Sequence, residues 1–479
     1  MKSIRNIFGG LLVAGLTMST VACEDWYDES PETNVKADLF FNTENGFQSA
    51  LTGVYIQLTN ESLYAGTLSF GFVDQLAQQY DYMPDGTFQK DAIYNYATGS
   101  SGSFGSKRRI EAAWTGLYNT IANCNNLIKW LDLKGETVVR DAKTRQMLRA
   151  EALAVSAFCH FDLLRGWGPA NYRNAAGADT IKCVPFRTVA DNSKQPRMAA
   201  GQLLERIVAQ LKQAQELLAY EKGISLRNNE RRYRFNYYAV TALLARVYAY
   251  QGDAEQAIAC AKEVIDDCGL ELQMVNLNDP ALFSEAICAL NKYQMQDNLA
   301  SLWADGDKLT TQLVISQAKF QSLFEVSGSR REDMRSKSTA FYNYETKQKS
   351  LSKKYTQNDA QAIPLIRLPE MYYIVCEMSN DMEQSRYYLN YVRNKRGYSS
   401  SVNEKFTDAA GRLTALDKEY RKEFYAEGQY WWFLKLRGLT QIPYERDVTL
   451  SNARFVWPLP DAEVQYGWTD ETENETPNP

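Results

Sequence analysis

His160 is the only histidine in the 479-residue chain, so any zinc site or Ser-His-Asp triad that uses an imidazole would have to use this one. It lies within the apolar run of residues 157–161, which is typical of a buried helix face. No Cys-x-x-Cys spacing occurs in the chain. We therefore expect a hydrogen-bonded core histidine, and we predict no catalytic residue, no metal ligand and no cofactor.

The cysteines could also do covalent chemistry. Besides Cys23 they are Cys124, Cys159, Cys183, Cys260, Cys268, Cys288 and Cys376. Seven thiols cannot all pair within one chain, and most of them lie in helical apolar patterns, where a free thiol behaves as a small hydrophobe. We expect buried free thiols and no disulfide framework.

Carboxylates and aromatic rings are more abundant. The chain has 58 acidic residues, so carboxylate pairs are inevitable, but no pair is marked as catalytic by its surroundings. Aromatic residues make up 12% of the chain, enough that some rings could face a ligand. Helical periodicity disappears over residues 64–106, where Gly, Ser and Tyr dominate. Such a long irregular segment is typical of a functional loop.

The first 22 residues are predicted to be a signal peptide. Lys2 and Arg5 precede an apolar run that is too short to span a bilayer, which takes about 20 residues. Small residues then precede Cys23, as in a bacterial lipobox, whose cysteine is diacylated after cleavage. An ordinary secretory signal with a chance cysteine is the alternative. Cleavage removes Lys2, Arg5 and no acid, which changes the net charge by two, from -5 to -7. Lipid, and not a basic patch, would therefore hold the protein at a membrane.

The elements that must position these residues are mostly helices. Residues 237–250 carry apolar and small residues at helical spacing. Gly252 interrupts this pattern, and Asp253 can cap a second helix that reaches residue 268. The spacing resembles a tetratricopeptide unit, and an ordinary helical hairpin is the alternative. In both cases neighbouring helices must cover the faces that the hairpin cannot bury alone.

Further amphipathic patterns predict helices over residues 46–58, 109–131, 143–165, 199–218, 310–324, 364–380, 382–395 and 415–435. Alternation over residues 341–344 and 353–355 suggests a small β-hairpin. The acidic, polar tail at residues 469–479 is predicted to be disordered. No basic block suggests nucleic-acid binding.

Taken together, several segments resemble the SusD/RagB family of outer-membrane nutrient-binding lipoproteins over nearly the whole mature chain. These segments are residues 149–152, 160–169, 242–248, 366–377, 389–393 and 420–435. Tyr430 and Phe433 stand where the family usually carries an arginine and an aspartate, which puts the local geometry there in doubt. Helical spacing predicts ordinary ion pairs for Arg367, Glu370, Glu377, Arg421, Glu423 and Glu427.

The resemblance implies a mainly α fold. Tetratricopeptide-like (TPR-like) helical hairpins would form a right-handed superhelical scaffold with long irregular loops and a minor β-hairpin. The implied organisation is a signal peptide at residues 1–22, an N-terminal helical half at 23–270, a C-terminal half at 271–468 and a tail at 469–479.

The resemblance also implies a cell-surface, outer-membrane protein anchored by lipid on Cys23. It would bind an oligosaccharide and pass it to a SusC-type TonB-dependent transporter, without enzymatic activity. Sugars lay their C–H faces on aromatic rings and bond through their hydroxyls to acids and amides. The ring-bearing loops occupy about the positions of ligand-contacting loops in sugar-binding relatives. The predicted ligand residues are Tyr80, Asp81, Tyr82, Tyr94, Tyr96, Tyr293, Trp303 and Asp305.

Three alternatives remain open at this point. A RagB-like protein would take up peptides instead of glycans. A surface glycoside hydrolase would use two of the carboxylates. A purely structural lid on the transporter would bind no free ligand.

Overall fold

The computed structural model describes residues 37–83, 86–96, 106–191, 193–275, 278–303, 312–326, 333–356, 359–442 and 445–467. The predicted signal peptide, Cys23, Asp305 and the acidic tail lie outside these residues. The structure is 57% helix and 9% strand. This composition confirms the predicted mainly α fold.

The helices differ widely in length, from four residues to 33. They are α1 (Glu44–Leu58), α2 (Phe72–Leu76), α3 (Ser106–Val138), α4 (Ala142–Trp167), α5 (Ala200–Leu217), α6 (Tyr237–Gln251), α7 (Ala254–Asp267), α8 (Met295–Asn298), α9 (Ala300–Trp303), α10 (Gln317–Leu323), α11 (Leu368–Met378), α12 (Met382–Lys395), α13 (Ala409–Glu423), α14 (Gln429–Arg437), α15 (Asn452–Phe455) and α16 (Asp461–Tyr466).

Seven of these helices pack in series. Helix α3 packs on α4, α4 on α5, α5 on α6, α6 on α7, α7 on α11 and α11 on α12. Each helix thereby covers an apolar face that its neighbour could not bury alone. Helix α1 packs on both α3 and α4. This arrangement confirms the predicted TPR-like scaffold.

The α6–α7 hairpin follows the sequence signals closely. The Asn236 side chain caps α6 by accepting from the Ala239 N–H, and every residue of α6 up to Tyr250 is buried. Gly252 ends the helix at φ 90°, in the left-handed region that glycine adopts without strain. Asp253 then caps α7, so both predicted helices are confirmed.

The strands form small antiparallel sheets between the helices. They are β1 (Lys182–Pro185), β2 (Arg197–Ala199), β3 (Ala286–Asn291), β4 (Val314–Ser316), β5 (Phe341–Tyr344), β6 (Lys349–Ser352), β7 (Ala362–Arg367), β8 (Gln441–Ile442) and β9 (Glu445–Thr449). They pair as β1–β2, β3–β7, β4–β6–β5 and β8–β9. The predicted β-hairpin exists, but the partner of β5 is β6 and not residues 353–355.

Three of the predicted helices are partly wrong. Residues 314–316 form β4, and only the following residues are helical. Residues 364–367 belong to β7, and α11 begins at Leu368 with Pro369 in its first turn, a position that proline favours. The predicted helix at 415–435 is two helices, because Ala426 and Gly428 between them adopt φ values of 62° and 76°.

The first part of the irregular segment after α1 is not a surface loop. Residues 63–80 are all buried. Successive turns satisfy much of the backbone, for example through the Gly71 N–H, which donates to the Gly66 carbonyl at 2.8 Å. Buried backbone polar groups need such partners. This part of the predicted functional loop therefore belongs to the core.

Candidate ligand-binding site

Two of the predicted ligand rings, Tyr80 and Trp303, are buried core residues. Their ring centroids lie 5.8 Å apart in an edge-to-face contact, and Trp303 is fully buried. The Tyr80 hydroxyl donates to the Phe70 carbonyl at 2.7 Å. A ligand on the protein surface would not touch either ring, which corrects the sequence-based expectation for both. We expected ligand contact because both residues lie in segments without helical periodicity, which are usually loops.

Asp81 and Tyr82, which follow directly, reach the surface. The Asp81 N–H donates to the Val314 carbonyl at 2.9 Å, which fixes this segment against β4. The Asp81 carboxylate forms an ion pair with Lys349 on β6, and both side chains are partly exposed. The Tyr82 side chain is 51% exposed.

The three-stranded sheet extends this surface. In β6, Lys349 is paired in register with Tyr344 of β5 and Ser316 of β4. Lys319 of α10 donates from Nζ to the Tyr80 carbonyl at 3.1 Å. We define the Tyr82 surface by the residues Asp81, Tyr82, Lys319, Tyr344 and Lys349. Sequence reasoning missed the last three because strand pairing, the Asp81 ion pair and the Lys319 hydrogen bond bring them close, and no local pattern marks them.

Tyr94 and Tyr96 make their contacts elsewhere. The Tyr94 hydroxyl donates to the Leu76 carbonyl at 2.6 Å, and the Arg454 guanidinium lies 4.6 Å from the centre of the Tyr94 ring. The Tyr96 hydroxyl donates to the Arg454 carbonyl at 2.5 Å. Both rings are half-buried, so these contacts tie the loop to the C-terminal part of the chain.

Tyr293 follows β3, and its side chain is 74% exposed. Its carbonyl accepts from Asn298 Nδ2 at 2.9 Å. Asp305 lies outside the described residues. Among the predicted ligand residues that the structure describes, Tyr82 and Tyr293 are therefore the ones with exposed rings. Asp81 lies next to Tyr82, and its carboxylate is partly exposed.

His160 is a satisfied core residue, as predicted. It is fully buried in α4. Nδ1 lies 2.8 Å from the Ser156 carbonyl, and Nε2 accepts from the Arg187 N–H at 3.1 Å. Both contacts suit a neutral ring that carries its proton on Nδ1. Burial lowers the pKa of His160 to about 3.

The nuclear magnetic resonance signal of this imidazole is expected to keep a constant chemical shift between about pH 5 and pH 8, because the ring stays neutral there. An unfolded chain would titrate at the ordinary pKa of 6.5. The stabilising contribution of the neutral ring is therefore complete above pH 6.5 and is lost as the pH falls toward the folded-state pKa, by about 1.4 kcal/mol per pH unit. A shift that titrates near pH 6.5 in the folded protein would contradict this assignment, and His160→Gln identifies the signal.

The thiols are free in the described part of the chain. Six are buried and Cys260 is half-buried, which confirms the prediction for these seven. Burial raises the pKa of Cys183 to about 11, so this thiol stays protonated and unreactive at neutral pH.

The charged residues of the resembling motifs form buried ion pairs. We call the largest group the Glu423 cluster; its members are Glu285, Arg335, Arg367, Arg396, Glu423 and Glu427. Glu423 accepts from Arg367 Nη1 and Arg396 Nη2 at 2.8 Å each, and from Arg335 Nη1 at 3.0 Å. Burial opposes ionisation of Glu423, but the three guanidinium groups hold its pKa well below its usual range.

Two further pairs link distant helices. Arg246 of α6 donates from Nε and Nη2 to the two carboxylate oxygens of Glu370 on α11, each at 2.6 Å. Glu377, also on α11, accepts from Arg173 and Arg437. Burial raises the pKa of Glu377, but these two guanidinium groups outweigh it and bring the pKa to about 2. The structural interpretation of Arg367, Glu370, Glu377, Glu423 and Glu427 is confirmed.

No group of three or more His, Cys, Asp or Glu side chains with metal-site geometry occurs among the residues that the structure describes. Within the same residues, no helix combines the length and the apolar character needed to cross a bilayer.

Serial packing of antiparallel helices with an accessible ring-bearing surface defines a TPR-like helical scaffold protein. The chain belongs to the SusD/RagB family. Residues 25–249 match a SusD-like family model described as "Starch-binding associating with outer membrane", and residues 286–435 match the SusD family model.

Individual relatives agree with this membership. SusD-like protein P25 of Formosa agariphila is 25% identical over 267 residues, which are 55% of this chain and 46% of that protein. SusD-like protein P2 of the same organism is 24% identical over 274 residues, or 55% and 48% of the two chains. The aligned part thus spans about half the length of these curated relatives.

Solved structures share the fold at lower identity. A SusD superfamily protein from Bacteroides thetaiotaomicron superposes with a TM-score of 0.68 at 21% identity, over 89% of this chain and 98% of that one. A SusD-like carbohydrate binding protein from Bacteroides vulgatus gives 0.68 at 14% identity, over 88% and 96%. Surface glycan-binding protein A from Bacteroides thetaiotaomicron gives 0.64 at 18% identity, over 89% and 98%.

Proposed function

We propose that this protein is an outer-membrane lipoprotein that binds an oligosaccharide at the cell surface and delivers it to a SusC-type TonB-dependent transporter. Family membership supports this proposal, as does the family description, which names starch binding and the outer membrane. Two structural neighbours are described as carbohydrate-binding and glycan-binding proteins. The proposed role is binding without chemical conversion of the ligand.

The observation that carries the proposal is the Tyr82 surface. A half-exposed tyrosine ring offers a flat apolar face for the C–H groups of a pyranose. The neighbouring Asp81 carboxylate accepts hydrogen bonds from sugar hydroxyls, and the Lys349 ammonium donates them. Because Asp81 and Lys349 neutralise each other, this pair can bind an uncharged glycan without leaving either of the two charges unpaired. Tyr293 is proposed as a second, independent ring contact.

Tyr82→Ala is expected to weaken glycan binding at least about fivefold, since an aromatic contact contributes about 1 kcal/mol beyond the area that it buries. The melting temperature should change little because the ring is half exposed. Isothermal titration of the purified chain with a panel of oligosaccharides measures the first effect and calorimetry the second. Tyr466→Ala is the matched control, because Tyr466 is 65% exposed and lies on α16. Equal affinities for the two variants would exclude Tyr82 from the site.

The same titration separates the alternatives. Heat with peptides and none with glycans would assign the protein to peptide uptake. Shortening of a bound oligosaccharide by the purified protein would indicate a hydrolase. No heat with any compound, in a cell whose transporter still requires the protein, would indicate a structural lid.

Cys23→Ala is expected to leave the protein folded and to remove it from the outer membrane. The diacylated thiol is the proposed anchor, and the acidic residues that follow Cys23 would be repelled by anionic lipid. Membrane fractionation and mass spectrometry of the mature N-terminus measure this effect. Cys260→Ala is the control, since it removes a thiol far from the lipobox. Full retention of Cys23→Ala in the outer membrane without a transporter partner would refute the anchor.

A further inference from the structure

A small cavity lies between helices that precede residue 270 and helices that follow it, which we call the first and second parts of the chain. Its volume is about 60 Å³, and its lining comes from α4, α6, α11, α13 and α14 together with the segment after α4. One ordered water needs about 15 Å³ on this measure, so the cavity has room for about four waters or for one oxyanion of similar size. Arg173 and Glu377 at its edge are half-buried, so solvent can reach it.

Cations outnumber carboxylates in the lining. The cationic residues are Arg165, Arg173, Arg246, Lys435 and Arg437, and the carboxylates are Glu370 and Glu377. Asp162 pairs with Arg165 from just outside the lining. Five cations therefore face three carboxylates, which leaves an excess of two positive charges when all of them are ionised.

Lys435 contributes one of these two charges when it is protonated, and the guanidinium groups supply the rest. Its side chain is buried, and its ammonium donates to the Gly166 carbonyl at 2.9 Å. In the described part of the chain no carboxylate forms an ion pair with it. An ammonium carries three donors, so Lys435 has hydrogen-bonding capacity left. Burial, helped by the nearby charge of Arg165, lowers its pKa well below the ordinary value, which a bound anion would reverse.

Several other donors of the lining are buried and have no acceptor among the residues that the structure describes. They are Arg173 Nε, Arg246 Nη1, Arg437 Nε, Trp432 Nε1 and the Tyr250 hydroxyl. Arg246 is the clearest case, because Nε and Nη2 are both used on Glu370 while Nη1 is not. A buried donor without an acceptor destabilises the fold, because it has lost its hydrogen bonds to water and gained none. Five of them around one cavity indicate a shared acceptor there.

We propose that this cavity, which we call the Lys435 cavity, binds a small oxyanion: a sulfate, a phosphate or a carboxylate group. Such a group supplies several acceptor oxygens and negative charge in the place where the protein presents unpartnered donors and excess positive charge. Guanidinium groups suit oxyanions because their planar forks match the spacing of the oxygens. The group is either a free inorganic anion or the acidic substituent of a sugar, and the chemistry of the site is the same for both.

A bound oxyanion would also connect the two parts of the chain. Arg246 comes from α6, whereas Lys435 and Arg437 come from α14. An anion that contacts all three would link α6 directly to α14. The Arg246–Glu370 ion pair links α6 only to α11. Anion binding is therefore expected to stabilise the packing between α6 and α14.

Isothermal titration of the full chain with sodium sulfate tests the proposal, at a constant ionic strength kept with sodium chloride. One binding event per chain is expected. Lys435→Met should weaken it at least tenfold, since it removes the charge and keeps the aliphatic stem. Lys129→Met, which removes an exposed lysine on α3, should leave it unchanged. Sodium phosphate, glucuronate and neutral glucose complete the series.

The outcomes separate the sources. Binding of sulfate or phosphate alone would support a free inorganic anion, and competition by glucuronate but not by glucose would support an acidic sugar. If Lys435→Met fails to fold, Arg437→Gln and a crystal soaked in selenate replace it, with an anomalous peak expected inside the cavity. No heat with sulfate, phosphate or glucuronate, equal affinity in both lysine variants, or selenate found only outside the cavity would overturn the proposal.

Discussion

Replacing Glu423 with glutamine is expected to lower the free energy of unfolding by about 3–5 kcal/mol, because breaking a buried ion pair leaves an uncompensated buried charge. Glu423 accepts hydrogen bonds from Arg335, Arg367 and Arg396, and the side chains of Arg367, Arg396 and Glu423 are fully buried. Glutamine keeps the shape of the side chain and removes its charge. The three guanidinium groups would then share the remaining carboxylates of the Glu423 cluster.

Urea denaturation followed by circular dichroism measures this loss. Glu404→Gln is the matched control: Glu404 lies 3.6 Å from Arg393, and its side chain is 26% exposed. Glu404 is partly exposed, and Arg393 keeps its closer ion pair with Glu419 at 2.6 Å. The control should therefore change stability by only about 0–1 kcal/mol. Equal losses in the free energy of unfolding of Glu423→Gln and Glu404→Gln would show that burial in the Glu423 cluster does not increase the contribution of Glu423 to stability.

The difference between wild type and Glu423→Gln should depend on pH. The pKa of Glu423 is held well below its ordinary value of 4.5, so its contribution is complete above pH 4.5. It is lost as the pH falls below 4.5 toward the folded-state pKa. The pKa of Glu285 in the same cluster is shifted the other way, because burial raises it. For this reason the pH dependence is read from the difference between the two proteins and not from the wild type alone.

Gly428→Ala is expected to be the second most damaging change. Gly428 adopts φ 76°, and an added Cβ would lie 2.7 Å from the Ser69 carbonyl oxygen and 2.7 Å from Val73 Cγ2. The left-handed backbone costs alanine about 1–2 kcal/mol, and overpacking adds about 1–3 kcal/mol. The Gly428 N–H also donates to the buried Asp74 carboxylate at 3.1 Å, so a backbone shift would weaken that contact too.

Gly223→Ala separates the two costs. Gly223 has a similar φ of 83°, but no atom lies within 4 Å of the position that its Cβ would take. It should lose only the backbone contribution, and the difference between the two variants in urea denaturation gives the packing contribution. Equal losses would mean that the Ser69 and Val73 contacts relax at no cost.

The helical scaffold was predictable because its signals are local. Periodicity and caps lie within one or two turns of chain, so the α6–α7 hairpin followed directly from the apolar spacing over residues 237–250, from Gly252 and from Asp253. The break between α13 and α14 was missed because the left-handed conformation is adopted there by Ala426 as well as Gly428, and alanine normally favours helix. Residues 364–367 were missed because a short buried apolar run reads equally well as helix or strand.

The candidate site was less predictable, since accessibility is a tertiary property. Tyr80 and Tyr82 are two residues apart, yet one is in the core and the other is half exposed. Nothing in a loop without periodicity assigns alternate residues to one face or the other. The partners Lys319, Tyr344 and Lys349 come from 230 or more residues away in the chain. Sequence alone could indicate the segment but not which of its rings a ligand can reach.

The order of charges along the chain bears on synthesis. The arginines of the Glu423 cluster precede its main carboxylates. The carboxylates available earlier are Glu285 and, for Arg335, its neighbour Asp333. While the nascent chain grows, these guanidinium groups have too few partners to be buried. The second part of the fold should therefore stay open and protease-sensitive until residue 427 has left the ribosome. A polypeptide that ends before Glu423 would be a substrate for degradation and not a smaller folded protein.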